Sequence, residues 1–276
     1  MSSKNKIYLD YNLVAYYFDK SNIPLCEKID LMKGYCDFPY SPAHLEEIAV
    51  PIMQNHKDKK PLDSVLTLGS EKLNSLSELT NNLALAPQRE KCTTFIRENP
   101  IECIKRVMIN YDLNENIEIM EEAFLQKCKD LDPTGKIANR ISNLPINFLN
   151  ETHYGKDLEL KLHFDLLAAI SARKARVTEF RWPYISTSHQ LLERTLEMAF
   201  NFLEEIRYKP EKVSKSRSRM HDVTHAIYAA STDYLVSGDD RFLSKTKVVY
   251  KYFGIETNVI SLDEFLNLKH PLPNMH

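Results

Sequence analysis

The chain has 276 residues, of which 43% are hydrophobic and 27% charged, with a formal net charge of −2. That is enough to bury a substantial core in one large unit or two small ones, in proportions ordinary for a folded globular protein. No apolar run approaches the ~20 residues needed to span a bilayer, and the near-neutral charge gives no global attraction to nucleic acid, so any such binding needs a local basic surface.

From Met1 the chain runs through Ser2, Ser3, Lys4, Asn5 and Lys6 straight into a short apolar stretch and Asp10. It lacks the long apolar region of a signal peptide there, and a cytoplasmic address is expected. Cys26, Cys36, Cys92, Cys103 and Cys128 are odd in number and never spaced C-x-x-C, so buried free thiols are expected rather than a disulfide framework or a thiolate zinc site.

Lys6–Asp10 is a short apolar run closed by an acid and predicts a first buried strand, with a helix from Tyr11 to Asp19 after it. Asp37–Ser41 predicts a second short strand, placed by Pro39 towards an edge or an end. Ser41-Pro42 then supplies an N-cap followed by proline at the first helical position, so a helix carrying Glu46 and Glu47 is expected, ended or kinked at Pro51.

From about residue 61 to about residue 206, apolar residues recur at three- and four-residue spacing and predict helices over 63–83, 88–109, 117–131, 157–180 and 188–207. Breaks fall near Pro87, Asp132–Gly135, Pro145 and Pro183. After a basic stretch, a helix is expected from Ser218 to about Thr232. Tyr234–Ser237 reads as a buried strand, Gly238–Asp240 as a turn, Arg241–Phe253 as a helix, Thr257–Ile260 as a strand and Ser261–Leu268 as a last helix. Strands alternating with helices at the two ends predict an α/β fold: a parallel sheet flanked by helices, built from about 1–60 and 207–276, with 61–206 as a large all-helical insertion.

In an open parallel sheet, ligands bind beyond the carboxyl ends of the strands. Asp10 and Asp239 each follow a predicted strand, Glu47 would come from the helix after the second strand, and Asp222 from the first turns of the helix near Ser218. Carboxylates brought together raise one another's pKa unless a cation sits among them, and hard divalent ions such as Mg²⁺ and Mn²⁺ suit an oxygen-rich setting. Phosphodiester hydrolysis uses such a site, one metal lowering the pKa of a water and stabilising the attacking and leaving oxygens. Neither a Gly-x-Ser-x-Gly elbow nor a Walker phosphate loop occurs, which argues against covalent hydrolase and nucleotide-triphosphatase chemistry.

Four segments resemble the PIN-domain family in order and local context. Asp10-Tyr-Asn12 matches its strand-closing aspartate with Asn or Ser two residues on. Ser41 opening a helix with Glu47 six positions later matches the second element, and Asp222 before Ala226, Ala229 and Ala230 the third. Ser237-Gly-Asp239 followed by Arg241 and Phe242 matches the fourth and most distinctive. The resemblance covers about 5–50 and 215–265, and the separation of Glu47 from Asp222 is much longer than in compact family members. It implies a PIN-like fold with a metal-dependent endoribonuclease activity, Asp10, Asp222 and Asp239 binding Mg²⁺ or Mn²⁺, Glu47 orienting a ligand or the water, and single-stranded RNA as substrate.

Each acid also has a plainer role. Asp10 can cap a helix, Asp239 and Asp240 can form a turn, and Glu46 and Glu47 suit a helix N-terminus; Glu46 competes with Glu47 for the second position. Asp240 is a candidate auxiliary ligand. Asn12 and Ser41 either hold carboxylates, water or substrate or cap helices. His221 and His225, four apart, can reach one zinc, but Asp222 stands where a metalloprotease has Glu and no third ligand follows; His225 is better read as packed beside the acids.

The basic stretch with Lys215, Arg217 and Arg219, and Arg241 beyond it, is placed to steer phosphates, or is a solvated loop. Arg173, Lys174, Arg176 and Arg181 with Phe180 and Trp182 form a second patch, better read as an ordinary helix end. Two rivals stand beside the nuclease: a non-cleaving RNA-binding scaffold, and a toxin-like nuclease silenced by an inhibitory protein partner, as in a toxin–antitoxin pair. Oligomeric state is open, a homo-oligomer included.

Overall fold

The sheet is assembled from both ends of the chain. In the computed structural model, which describes residues 4–55, 61–88, 91–109, 111–170 and 180–269, β1 (Asn5–Leu9) leads through α1 (Tyr11–Phe18) and α2 (Ile23–Met32) to a two-residue β2 (Cys36–Asp37) and α3 (Pro42–Asn55). Next come α4 (Pro61–Leu68), α5 (Ser70–Thr80), β3 (Leu83–Pro87), β4 (Thr93–Arg97) and α6 (Pro100–Ile109). The helices α7 (Tyr111–Asp130), α8 (Lys136–Ile141), α9 (Phe148–Glu151), α10 (His153–Ile170), α11 (Trp182–Ile185) and α12 (His189–Glu205) follow. The chain closes with α13 (Ser216–Ala229), β5 (Tyr234–Ser237), α14 (Asp240–Phe253), β6 (Asn258–Ser261) and α15 (Leu262–Leu266).

The main sheet has the order β2-β1-β5-β6, and every pair in it is parallel. Ile7 lies opposite Tyr234 and Leu9 opposite Val236, so the first and fifth strands end side by side. Side chains alternate across the pleat: Ile7, Leu9, Tyr234 and Val236 enter one core with α1–α6, while Tyr8 and Leu235 enter the other with α12, α13 and α14. The sheet is thus covered on both faces, as the run of buried strand residues requires.

The segment between Glu47 and Asp222 divides between those cores. Val65, Leu73, Leu76 and Ile104 join the first, and Leu158, Leu162, Leu192 and Leu196 the second. It is not all helical: residues 83–97, spanning the expected break near Pro87 and the start of the helix expected over 88–109, form an antiparallel hairpin with Leu85 opposite Phe95. Thr93, Thr94, Phe95 and Ile96 suit a pleated surface, and the backbone of Tyr40 pairs with the hairpin, its amide donating to the Leu83 carbonyl (2.9 Å) and its carbonyl accepting from Leu85 (2.7 Å). A helical period alone does not see that tertiary partner.

Gly69 separates α4 from α5, where the spacing predicts one helix, and α3 continues through Pro51 to Asn55, so of the two outcomes expected there the proline does not end the helix. All five cysteines are free and buried. Among the described residues, no helix is long and apolar enough to cross a membrane.

Candidate metal centre

Asp10 leaves β1 at the carboxyl end of the sheet and is 2% exposed. Its amide donates to the Val236 carbonyl (2.9 Å), continuing the ladder by one residue and setting the side chain beside β5. The side chain makes no capping hydrogen bond to α1; its Oδ2 accepts instead from the Ser237 hydroxyl (2.8 Å). Ser237 Oγ accepts in turn from the Asp239 amide (3.0 Å), joining the two strand ends.

Glu47 reaches the same place from α3. Its Oε1 lies 2.7 Å from Nε2 of His225, and that nitrogen is 3.9 Å from Oδ1 of Asp10. One ligand-capable atom from each of Asp10, Glu47 and His225 falls within 4.8 Å of the others, close enough to share one ion. Glu46 is directed elsewhere: it lies 3.7 Å from His221 and lines a neighbouring cavity of 610 Å³, and burial pushes its carboxyl up to about 7. The adjacent glutamates are thereby told apart, Glu47 facing the cluster. That cavity, bordered by Glu193 and Glu197, is not lined by Asp10, Glu47, Asp222 or Asp239.

Asp222 sits on α13, one turn before His225. Burial, and then the charges of Asp10, Asp239 and Glu211, push its carboxyl well above the usual range, with Lys245 opposing. Burial also raises Asp10; His225 offsets this and Glu47 adds to it. At His225 burial opposes the charged form, but the hydrogen bond and charge of Glu47, with Asp10 and Glu46, outweigh it and raise the imidazole. Asp239 is exposed, and its Oδ1 caps α14 by accepting from the amides of Arg241 (2.8 Å) and Phe242 (2.9 Å). Of the expected ligands, Asp222, Asp239 and Asp240 lie outside the three-residue group, Asp240 being exposed on the first turn of α14.

A buried network holds the imidazole from behind. His44 Nε2 is 2.8 Å from the Leu9 carbonyl, so that nitrogen carries the proton and Nδ1 accepts from the Ser41 amide (3.1 Å). Burial and the charge of His225 push His44 down to about 3, which keeps it neutral. Tyr8 Oη sits 2.6 Å from Ser41 Oγ and 2.7 Å from His225 Nδ1. Because Glu47 accepts at Nε2 and Tyr8 bonds at Nδ1, the ring orientation is fixed at both nitrogens.

Several expected substrate contacts are used differently. Ser41 is fully buried beneath the acids as part of this network, while Asn12 is exposed on α1. Arg219, expected to steer phosphates, is buried; it bonds to Glu121 and Asn201, and its Nε lies 3.5 Å from Glu204. Arg217 makes a paired contact with Glu118. The acids of α7 and α12 that claim these arginines are far away in sequence, so the basic stretch alone gives no sign of them.

Lys215 is exposed, and Arg241 is exposed with Glu211 at 3.5 Å. Of the second basic patch, Arg173, Lys174 and Arg176 lie outside the described residues. Phe180 is buried, Trp182 is half-buried against the second core, and Arg181 stacks over Tyr252 at 4.8 Å. The residue whose importance the sequence understates is His225. Its spacing of three from Asp222 is the available signal, but its bond to Glu47 spans 178 positions.

The fold and the site together define a parallel α/β protein with a buried carboxylate–histidine cluster able to hold a divalent cation. Comparison of the chain with protein-family models, with curated proteins and with solved structures finds no match.

Proposed function

We propose that this protein is a metal-dependent ribonuclease of the PIN-domain kind. One observation carries the reading: acids from opposite ends of the chain, Asp10 and Glu47 with Asp222 in electrostatic reach, gather with His225 at the carboxyl end of parallel strands. The Asp10 and Asp222 carboxyls, raised by burial and by neighbouring acids, are an expensive arrangement unless a cation joins them.

Asp10 and Glu47 would hold the ion, with Asp222 and Asp239 at its rim. The donor set suits Mn²⁺ or Mg²⁺ while His225 stays on Glu47, and favours Mn²⁺ where the imidazole nitrogen enters the coordination. When bound, such an ion lowers the pKa of a water and neutralises phosphate charge. The protein's own part is positional: Ser237 fixes Asp10, His225 fixes Glu47, and Tyr8 with Ser41 fixes His225.

Incubating the full chain with labelled single-stranded RNA and DNA, in Mn²⁺ or in EDTA, tests the reading. Cleavage should need the metal, prefer RNA, and leave 3′-hydroxyl and 5′-phosphate ends, because water attacks phosphorus. Asp10→Asn and Asp239→Asn should each abolish cleavage while RNA binding persists. Undiminished cleavage in both variants, or 2′,3′-cyclic phosphate products, would refute it.

A partner-silenced form of the same enzyme is the second reading, supported by Ile119, Met120, Leu160 and Phe164 standing exposed on α7 and α10. Full activity of the isolated chain inside cells, with no loss of growth, would count against it.

A further inference from the structure

Arg207 is a buried cation without a close counterion among the described residues. It follows α12 in the left-handed region at φ 65°, a conformation uncommon for a residue with a β-carbon and one that marks a built feature of the backbone. The residue is 7% exposed, and neither Nε nor Nη1 has a hydrogen-bond partner among the described residues. The nearby buried cations have counterions: Arg219 has Glu121 and Glu204, although its Nε makes no hydrogen bond among the described residues, and Lys245 has Glu204 (2.5 Å) and Glu211 (3.0 Å).

The acids that could answer Arg207 are already engaged. Glu211 bonds Lys245 and lies 3.5 Å from Arg241. Asp132 accepts from the amides of Ile137 (3.2 Å) and Ala138 (2.8 Å), so Arg207 reaches it only as a more distant charge. Glu122 accepts from Ser216 at 3.5 Å.

Arg207 lines a cavity of 840 Å³, together with the exposed Lys129 and Lys212 and the hydroxyl residues Thr134 and Ser214. Glu122, Asp132 and Glu211 border it as well. Nε and Nη1 are themselves enclosed by protein, so what Arg207 offers the cavity is chiefly its charge, and two lysines and two hydroxyl residues line the same space to share the charge of an oxyanion. A cation taken out of water with donors unmade is a costly residue to keep unless an anion nearby offsets its charge.

We propose that this cavity is a phosphate-binding site headed by Arg207, with Lys129 and Lys212 at its mouth. The site is separate from the carboxylate cluster and does not depend on the ribonuclease reading. It would take the phosphate of a small phosphorylated molecule or of a nucleic-acid strand, the oxyanion being common to both.

The test uses the full chain in EDTA, so that neither metal nor cleavage enters. Thermal unfolding and calorimetric titration are run with inorganic phosphate, a nucleoside 5′-monophosphate and a single-stranded oligonucleotide. They are applied to the wild type, to Arg207→Met and to the doubly substituted Lys129→Ala/Lys212→Ala protein, whose changed positions are exposed. Phosphate should raise the wild-type Tm. Arg207→Met should melt higher than the wild type without phosphate and lose the phosphate response.

The lysine variant should keep its Tm and bind phosphate at least about fivefold more weakly, a readout that still decides the matter if Arg207→Met fails to fold. Tighter binding of the oligonucleotide than of the monophosphate assigns the site to a strand, and the reverse to a small molecule. A phosphate shift equal in all three proteins, or none in the wild type, overturns the proposal.

Discussion

Replacing Asp222 by Asn keeps the shape of the side chain and removes its charge, and this should stabilise the metal-free protein. The carboxylate is disfavoured by burial and repelled by Asp10, Asp239 and Glu211, with Lys245 its opposing neighbour. A buried ion carries an effective penalty of several kcal/mol, and allowing for Lys245 the net relief is about 2 kcal/mol. For a protein of this size that corresponds to about 4–8 °C in Tm.

The pH dependence fixes the sign. The folded pKa is raised, so the unfolded chain gives up this proton first as pH climbs past about 3.9. The native state then binds more protons, and stability falls with rising pH until the raised folded value is passed. In EDTA the wild type should therefore lose stability between pH 5 and pH 8 through this group, and Asp222→Asn should flatten that slope. With Mn²⁺ the wild type should gain Tm and the variant far less. Thermal melts at both pH values, with EDTA or Mn²⁺, measure all of this. A variant that melts below the wild type in EDTA at pH 8 would show that the ionised carboxylate stabilises the fold, and the argument for a missing cation would go with it.

His225→Ala should free Glu47 and lower Mn²⁺ affinity or cleavage by about 10–100-fold, as losses of ligand-orienting partners do; metal titration and initial rates check this, and unchanged values would make the imidazole incidental. Arg219→Ala should cost about 3–5 kcal/mol because it strands Glu121 and removes one of the two cations beside the buried Glu204, leaving Lys245 alone. Urea unfolding reads that cost, and a variant of normal stability with weakened RNA binding would restore Arg219 to the substrate path. Gly155→Ala should destabilise by about 1–3 kcal/mol, since a β-carbon there would stand 1.8 Å from the Leu149 carbonyl oxygen; an unchanged urea midpoint would mean that this turn relaxes freely.

The parts of the fold legible in the sequence are those whose signal is local and whose burial is two-sided. Tyr234–Ser237 reads as a strand because all four residues are buried between the helical layers, and its neighbour β1 is followed directly by an acid, Asp10, as β5 is followed closely by Asp239. The hairpin is hidden because the backbone it docks on, Tyr40, lies some forty positions earlier, while the spacing over its second strand also satisfies a helical period. The break at Gly69 is readable in principle, since a β-carbon there would meet the Val65 carbonyl oxygen at 2.6 Å.

The site divides along the same line. Asp10 is legible because a strand end is a place that the chain pattern itself marks, and Asp239 follows a strand in the same way but caps α14. Glu46 and Glu47 differ by about 100° around their helix, and only the position of α13 decides that Glu47 meets His225 while Glu46 turns to His221. The cations are the least legible. A basic run suggests an open surface, yet Arg217 and Arg219 are drawn into pairs with α7, whose glutamates look from sequence like an ordinary solvated face. Charge in the sequence thus marks where electrostatic energy is concentrated, but whether a given arginine meets a carboxylate or a phosphate depends on whether packing has already brought an acid to it. By that criterion Arg217 and Arg219 are spent on the fold, and Arg207 is the cation still in need of a partner among the described residues.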